Sequence, residues 1–104
     1  MFLAMNRFSL LPGKEAEFEA VWAGRDSYLA GVPGFLSFHL MKGASDESGT
    51  LYATHTLWQS RQAFEDWTRS EAFRAAHAGA GGTRDLYAGP PKLELFNSVL
   101  ALTP

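Results

Sequence analysis

Cysteine is absent from the 104 residues, which excludes disulfides, thiolate ligation of a metal and iron–sulfur clusters. Any metal must be held by another residue type. Basic side chains are also few: nine Lys and Arg stand against eleven Asp and Glu, a formal net charge of −2. Nucleic-acid binding needs a concentration of cations to neutralise phosphates, so that partner class is excluded. No block of like charges suggests an interaction tail. No apolar run approaches the roughly 20 residues of a membrane span. The opening stretch, MFLAMNRFSLLPGK, has no basic region before its apolar residues, which alternate as in a strand and not as in a signal peptide. There are no internal repeats or low-complexity tracts. A single cytoplasmic domain spanning residues 1–104 is the expectation.

What is present is a large apolar fraction, 46% of residues with 13% aromatic, enough for a folded core. Phe2 to Leu10 alternates, with Phe2, Ala4, Asn6, Phe8 and Leu10 on one face and Leu3, Met5, Arg7 and Ser9 on the other. Asn6 is the anomaly: a poor strand former among phenylalanines, its amide is either satisfied locally or aimed at a ligand. After a turn at Pro12-Gly13, the residues from Lys14 to about Leu29 place Phe18, Val21, Trp22 and Leu29 at helical spacing against Glu15, Glu17, Glu19, Arg25 and Asp26. Gly31-Val32-Pro33-Gly34 ends that helix. A second strand, Phe35 to Met41, is apolar at both parities and so is expected to be buried on both faces. The polar run Gly43 to Gly49 reads as a hairpin connection, followed by a third strand from Leu51 to about Trp58.

The stretch Ser60 to His77, SRQAFEDWTRSEAFRAAH, organises the rest. Phe64 and Trp67 are three apart, and Phe73 and His77 four apart, so each pair shares a helix face. Ser60 and Ser70 each precede helix formers and each can act as an N-cap. Two short helices with a break near Arg69 follow. On one straight helix Trp67 and His77 would lie about 15 Å apart and roughly 80° out of register. A kink at Ser70 turns both toward one pocket, with Ala72, Ala75 and Ala76 as small walls, a shape that suits a flat, iron-bearing ligand. Ala78 to Pro91 is too rich in glycine and proline for regular structure, and a fourth strand runs from Leu93 to Leu102. The resulting order, β-α-β-β-α-β with a broken second helix, is the ferredoxin-like α+β arrangement. The second face of its sheet would carry Leu3, Met5, Phe35 or Phe38, and Leu93 or Leu95. That surface is too apolar to stay in water, which predicts a homodimer built by sheet-to-sheet packing into a dimeric α/β barrel.

Taken together, Asn6-Arg7, Val32-Pro33-Gly34-Phe35, Thr56-Leu57-Trp58 and the set Trp67, Ser70-Glu71-Ala72-Phe73 and His77 resemble the IsdG-type haem-degrading monooxygenases of the antibiotic biosynthesis monooxygenase superfamily. The resemblance runs from Met1 to about Val99. It implies an enzyme that opens the haem ring with O2 and releases iron, with haem as both substrate and cofactor, and with one site per subunit of a homodimer. It further implies that His77 binds the haem iron, that Asn6 lies beside the distal ligand and that Trp67 packs against the porphyrin and favours a ruffled macrocycle. The residues alone leave each role open. His77 is either a metal ligand or a cap favoured by the helix dipole, Asn6 either a donor to the ligand or a structural amide, and Trp67 either a porphyrin wall or a core aromatic. Arg25 is a candidate for a propionate contact, with Arg84 similar, and Tyr87 would pack on the ligand if its loop closes. His39 and His55 lie within strands and take no role.

Gly79, Gly81 and Gly82 follow a helix instead of opening one, so they form no phosphate cradle, and electrons must come from a separate reductase or small reductant. Two other readings stay open. One is a cofactor-independent monooxygenase acting on a quinol or polyphenol, with His77 as acid or base. The other is a haem-binding carrier without turnover.

Overall fold

The computed structural model describes residues 1–24, 28–77 and 85–104, with the His77 side chain outside the description. Among the described residues seven elements follow one another: β1 (Phe2–Leu10), α1 (Glu15–Ala23), β2 (Phe35–Asp46), β3 (Gly49–Trp58), α2 (Arg61–Thr68), α3 (Glu71–His77) and β4 (Lys92–Asn97). The strands form one antiparallel sheet in the order β2-β3-β1-β4. This is the ferredoxin-like α+β arrangement with a broken second helix. Among the described residues no helix is long and apolar enough to cross a membrane.

The alternation of β1 and β3 decides which face the helices cover. Phe2, Ala4, Phe8 and Leu10 are buried on β1, and Thr50, Tyr52, Thr54, Thr56 and Trp58 on β3. Their neighbours Leu3, Met5, Leu51, His55 and Leu57 are only half-covered, because no described helix packs on that side of the pleat. The pairing Phe2↔Trp58, Ala4↔Thr56, Asn6↔Thr54, Phe8↔Tyr52 brings the buried sets of the two strands side by side.

Several boundaries differ from expectation for physical reasons. Helix α1 stops at Ala23, not near Leu29, because Gly24 follows as a poor helix former and caps it by donating to Ala20 and Trp22 carbonyls. Leu29 is buried all the same, beyond the helix. Strand β2 extends to Asp46, through most of the polar run read as a connection, and the turn is tight at Gly49, whose φ of 136° suits glycine. Burial of β2 on both faces is not found: it is an edge strand with no fully buried residue, and a strand with one neighbour cannot be covered as a central one is. Strand β4 starts at Lys92 and ends at Asn97, short of Leu102.

The polar residues of α1 also hold a surprise. Glu15, Phe18, Glu19 and Trp22 share the sheet-facing side at i, i+3, i+4 and i+7, so two of the glutamates read as solvent-facing are turned inward. The Thr50 hydroxyl donates to Glu15 Oε1 at 2.6 Å and the Tyr52 hydroxyl donates to Glu19 Oε2, while Ser45 Oγ lies 2.8 Å from Thr50 Oγ1. Around these bonds sits the first of two apolar clusters, Phe8, Leu10, Phe18, Tyr52 and Leu86. Part of the glycine-rich stretch is drawn into it. Leu11 N donates to the Leu86 carbonyl at 2.9 Å, Ala88 N to the Ser9 carbonyl at 2.7 Å, and Leu10 bridges Tyr87. The second cluster, Phe2, Ala4, Leu29 and Trp58, lies at the other end of the same strands beneath α2.

Candidate active site

Between the two clusters the carpet of side chains on the sheet is interrupted. Large residues meet at Phe2↔Trp58 and at Phe8↔Tyr52, but the two pairs between them, Ala4↔Thr56 and Asn6↔Thr54, are small. Helices resting on the large pairs must leave a hollow over the small ones. A cavity of about 210 Å³, open to solvent at its mouth, lies there. Ala4, Asn6, Thr54 and Thr56 form its floor. Trp22, Leu29, Phe38 and Leu93 stand at its sides, and Phe64, Trp67, Thr68, Phe73 and Ala76 close it from α2 and α3.

The two-helix break expected near Arg69 supplies that last wall. Ser60 Oγ accepts from Ala63 N at 3.2 Å and starts α2. Ser70 serves both helices: its hydroxyl donates to the Trp67 carbonyl at 2.6 Å and accepts from Phe73 N at 3.1 Å. It thus closes α2 and opens α3, turning the chain where a single helix would have run straight on. Entry to α2 is set by Gly34, with φ of 82°, where a Cβ would stand 2.4 Å from the Ala63 Cβ. Its carbonyl accepts from Gln59 N at 2.8 Å. Only glycine allows that approach.

Trp67 is held between the core and the cavity. Its ring centroid is 5.4 Å from Trp58, and 4.8 Å from Phe73 at an interplanar angle of 87°. The core-aromatic and cavity-wall readings therefore coexist in one side chain. The opposite wall is Trp22, stacked on Phe38 at 5.8 Å. Asn6 is half-buried, and among the described residues none hydrogen-bonds its amide or the hydroxyls of Thr54 and Thr56. His77 is the last residue of α3, next to Ala76, which lines the cavity. Its side chain, together with Arg25 and Arg84, lies outside the described residues. Among the described residues no group of three or more His, Asp or Glu could hold a metal ion.

Other expectations need correction. Ala76 alone of the three alanines lines the cavity, since Ala75 faces solvent and Ala72 lies off the rim. Tyr87 packs on Phe8 at 5.7 Å, in the cluster away from the cavity. Phe35 and Phe38 join the cluster beneath α2, and Leu93 and Leu95 pair with Asn6 and Ala4 on the helix-covered side. None of the four belongs to the open face, which carries Leu3, Met5, Leu57 and Phe96 instead. His39 and His55 are also there, opposite each other with ring centroids 6.2 Å apart. Thr54, Thr56, Trp22 and Phe38 were not among the sequence candidates. Pairing Phe2-to-Leu10 with Leu51-to-Trp58 residue by residue would have exposed the two small pairs.

The profile of the antibiotic biosynthesis monooxygenase family matches residues 1–79. The chain belongs to that family. A curated relative is the mycobilin-producing haem oxygenase of Mycobacterium tuberculosis H37Rv, 35% identical over 75 residues, which are 72% of this chain and 69% of that protein. Among solved structures, the haem-degrader MhuD of M. tuberculosis, with two haems bound in its active site, superposes with a TM-score of 0.74. It is 27% identical, over 99% of this chain and 100% of that one. SnoaB, a cofactor-independent oxygenase of Streptomyces nogalater, superposes with a TM-score of 0.72 at 25% identity, over 99% and 97% of the two chains. The chain is thus similar to proteins of two different chemistries.

Proposed function

We propose that the chain is a haem-degrading monooxygenase, which binds haem in the cavity between the sheet and α2–α3 and opens its ring with O2 and electrons from a separate donor. The observation that carries this reading is an aromatic-walled cavity with Asn6, unpartnered among the described residues, on its sheet side and the end of α3, with His77, beside it. Likeness to the mycobacterial haem oxygenase supports it. The donor set suits the group: an imidazole is a common haem-iron ligand, and flat apolar walls match a porphyrin. Haem, once bound, supplies both the iron that activates dioxygen and the ring that is oxidised.

The rest falls to the chain. His77 would hold the iron and would be steadied by a partner for its other ring nitrogen. Trp67, braced by Trp58 and Phe73, would set a rigid indole against the macrocycle, and distortion of the ring is one way a protein tunes haem chemistry. Asn6 offers its amide N–H from the sheet side, where a fixed donor stabilises developing charge at little reorganisation cost.

The open sheet face completes the reading with a second copy of the chain. Leu3, Met5, Leu57 and Phe96 form an apolar patch flanked by the Arg7–Glu94 pair at 3.3 Å, and sheet-to-sheet packing would cover it. Phe96→Glu should turn a dimer into a monomer in analytical ultracentrifugation, and a parent already monomeric at micromolar concentration would defeat the proposal.

The function is tested by adding haem to the purified protein and then ascorbate in air with catalase present. A Soret band that forms and then decays with release of iron is expected. A stable band would mean a carrier, and no band would favour the quinol chemistry that likeness to SnoaB keeps in view.

A further inference from the structure

Two hydroxyls on the cavity floor make no hydrogen bond among the described residues. Thr54 and Thr56 are only 7% and 8% exposed, and both line the cavity. Neither hydroxyl is sealed inside the protein, so what surface each has is met by whatever fills the cavity, and a hydroxyl there needs a partner from it. Valine has nearly the same shape, a higher affinity for apolar surroundings and at least as good a strand propensity, so packing alone would favour valine at both places. Thr50, on the same face of the same strand, shows what a satisfied hydroxyl looks like: it donates to Glu15 at 2.6 Å. The contrast means that the partner of Thr54 and Thr56 comes from the cavity's contents.

Register says which contents. Asn6 is directly opposite Thr54, and Thr56 is one pair further on, opposite Ala4. Directly opposed side chains on one face have Cβ atoms about 4.5–5.5 Å apart, and alternate residues of a strand are about 6.8 Å apart. One small molecule above this strip is therefore within hydrogen-bonding reach of the Asn6 amide and at least one hydroxyl. Ala4 leaves the room for it.

We infer that Thr54 and Thr56 act with Asn6 as a polar strip that would hydrogen-bond a small ligand of the bound haem where it meets the sheet. They are positioning residues, which would orient that ligand over the cavity floor. This rests on the haem reading above, and azide added to the ferric haem-loaded protein is the probe.

Thr54→Val and the double variant with Thr56→Val should keep the parent's melting temperature, since no bond within the fold is lost, and haem affinity within about twofold. Azide affinity should fall by about three- to tenfold per hydroxyl that donates, the worth of one hydrogen bond. Thr54→Ser should restore it. Parent-like azide affinity in the double variant would overturn the inference while leaving the haem reading intact. So would a lowered melting temperature with haem uptake lost, which would make the threonines structural. Failure of the parent to take up haem at all would overturn both.

Discussion

One end and the middle of the sheet's covered face are built from the same strands to opposite effect. At the end Phe8, Leu10, Phe18 and Tyr52 fill the space under α1, and the polar groups there are closed by Thr50–Glu15 and Tyr52–Glu19 bonds. In the middle, four residues along, Ala4, Asn6, Thr54 and Thr56 leave a hollow, and the side chains of Asn6, Thr54 and Thr56 on its floor have no hydrogen-bond partner among the described residues. Threonine marks both regions, hydrogen-bonded at 50 and open to the cavity at 54 and 56. Side-chain size along two paired strands thus separates the part of the molecule that holds it together from the part that receives a ligand.

Breaking the filled end should cost the most. Phe18 is completely buried and in ring contact with Phe8, Trp22, Tyr52 and Tyr87, so Phe18→Ala should lower unfolding free energy by about 3–5 kcal/mol in urea titrations. A loss below 1 kcal/mol would mean that this cluster is not the anchor. The hollow should respond the other way round. Asn6→Ala should leave the urea midpoint and haem binding nearly unchanged yet slow Soret decay by about a hundredfold, the scale seen when a preorganised donor is removed. Turnover equal to the parent's would remove Asn6 from the chemistry.

Smaller effects sharpen the comparison through pH. Burial and the neighbouring Glu19 push the Tyr52 phenol up to about 12 from an ordinary 10.0. The fold therefore favours the protonated phenol, and the stability this confers is whole below pH 10 and lost as pH rises toward 12. The stability gap between parent and Tyr52→Phe, expected at about 1 kcal/mol near neutrality, should close over that interval. At the acid side the Thr50 hydroxyl, the main cause, holds the Glu15 carboxyl below its usual 4.5. Its contribution is present above pH 4.5 and fades as pH falls through the lowered value, so parent and Thr50→Val should converge there in thermal melts.

Much of this was legible in the sequence because it depends on local rules. Strict alternation in Phe2 to Leu10 gave β1 to the residue, and the serines at 60 and 70 gave both helix starts and the break that turns Trp67 onto the cavity. What was hidden depends on pairing between distant segments. Glu15 and Glu19 look like solvent-facing charges until α1 is laid on Thr50 and Tyr52. Phe38, Leu93 and Leu95 looked free to serve an outer face until register placed them on the inner one. The cavity itself has no signature in any one segment, since it arises from small residues on β1 lying opposite small residues on β3.

The most direct test of the account follows methyl and amide NMR signals while gallium protoporphyrin, a diamagnetic stand-in for haem, is titrated into the protein. Ring-current shifts are predicted at Ala4, Thr54, Thr56, Ala76 and Leu93, with Leu10, Leu86 and the amides around Phe18 nearly still. Shifts concentrated at the filled end, or on Leu3, Met5 and Leu57 across the open face, would contradict it.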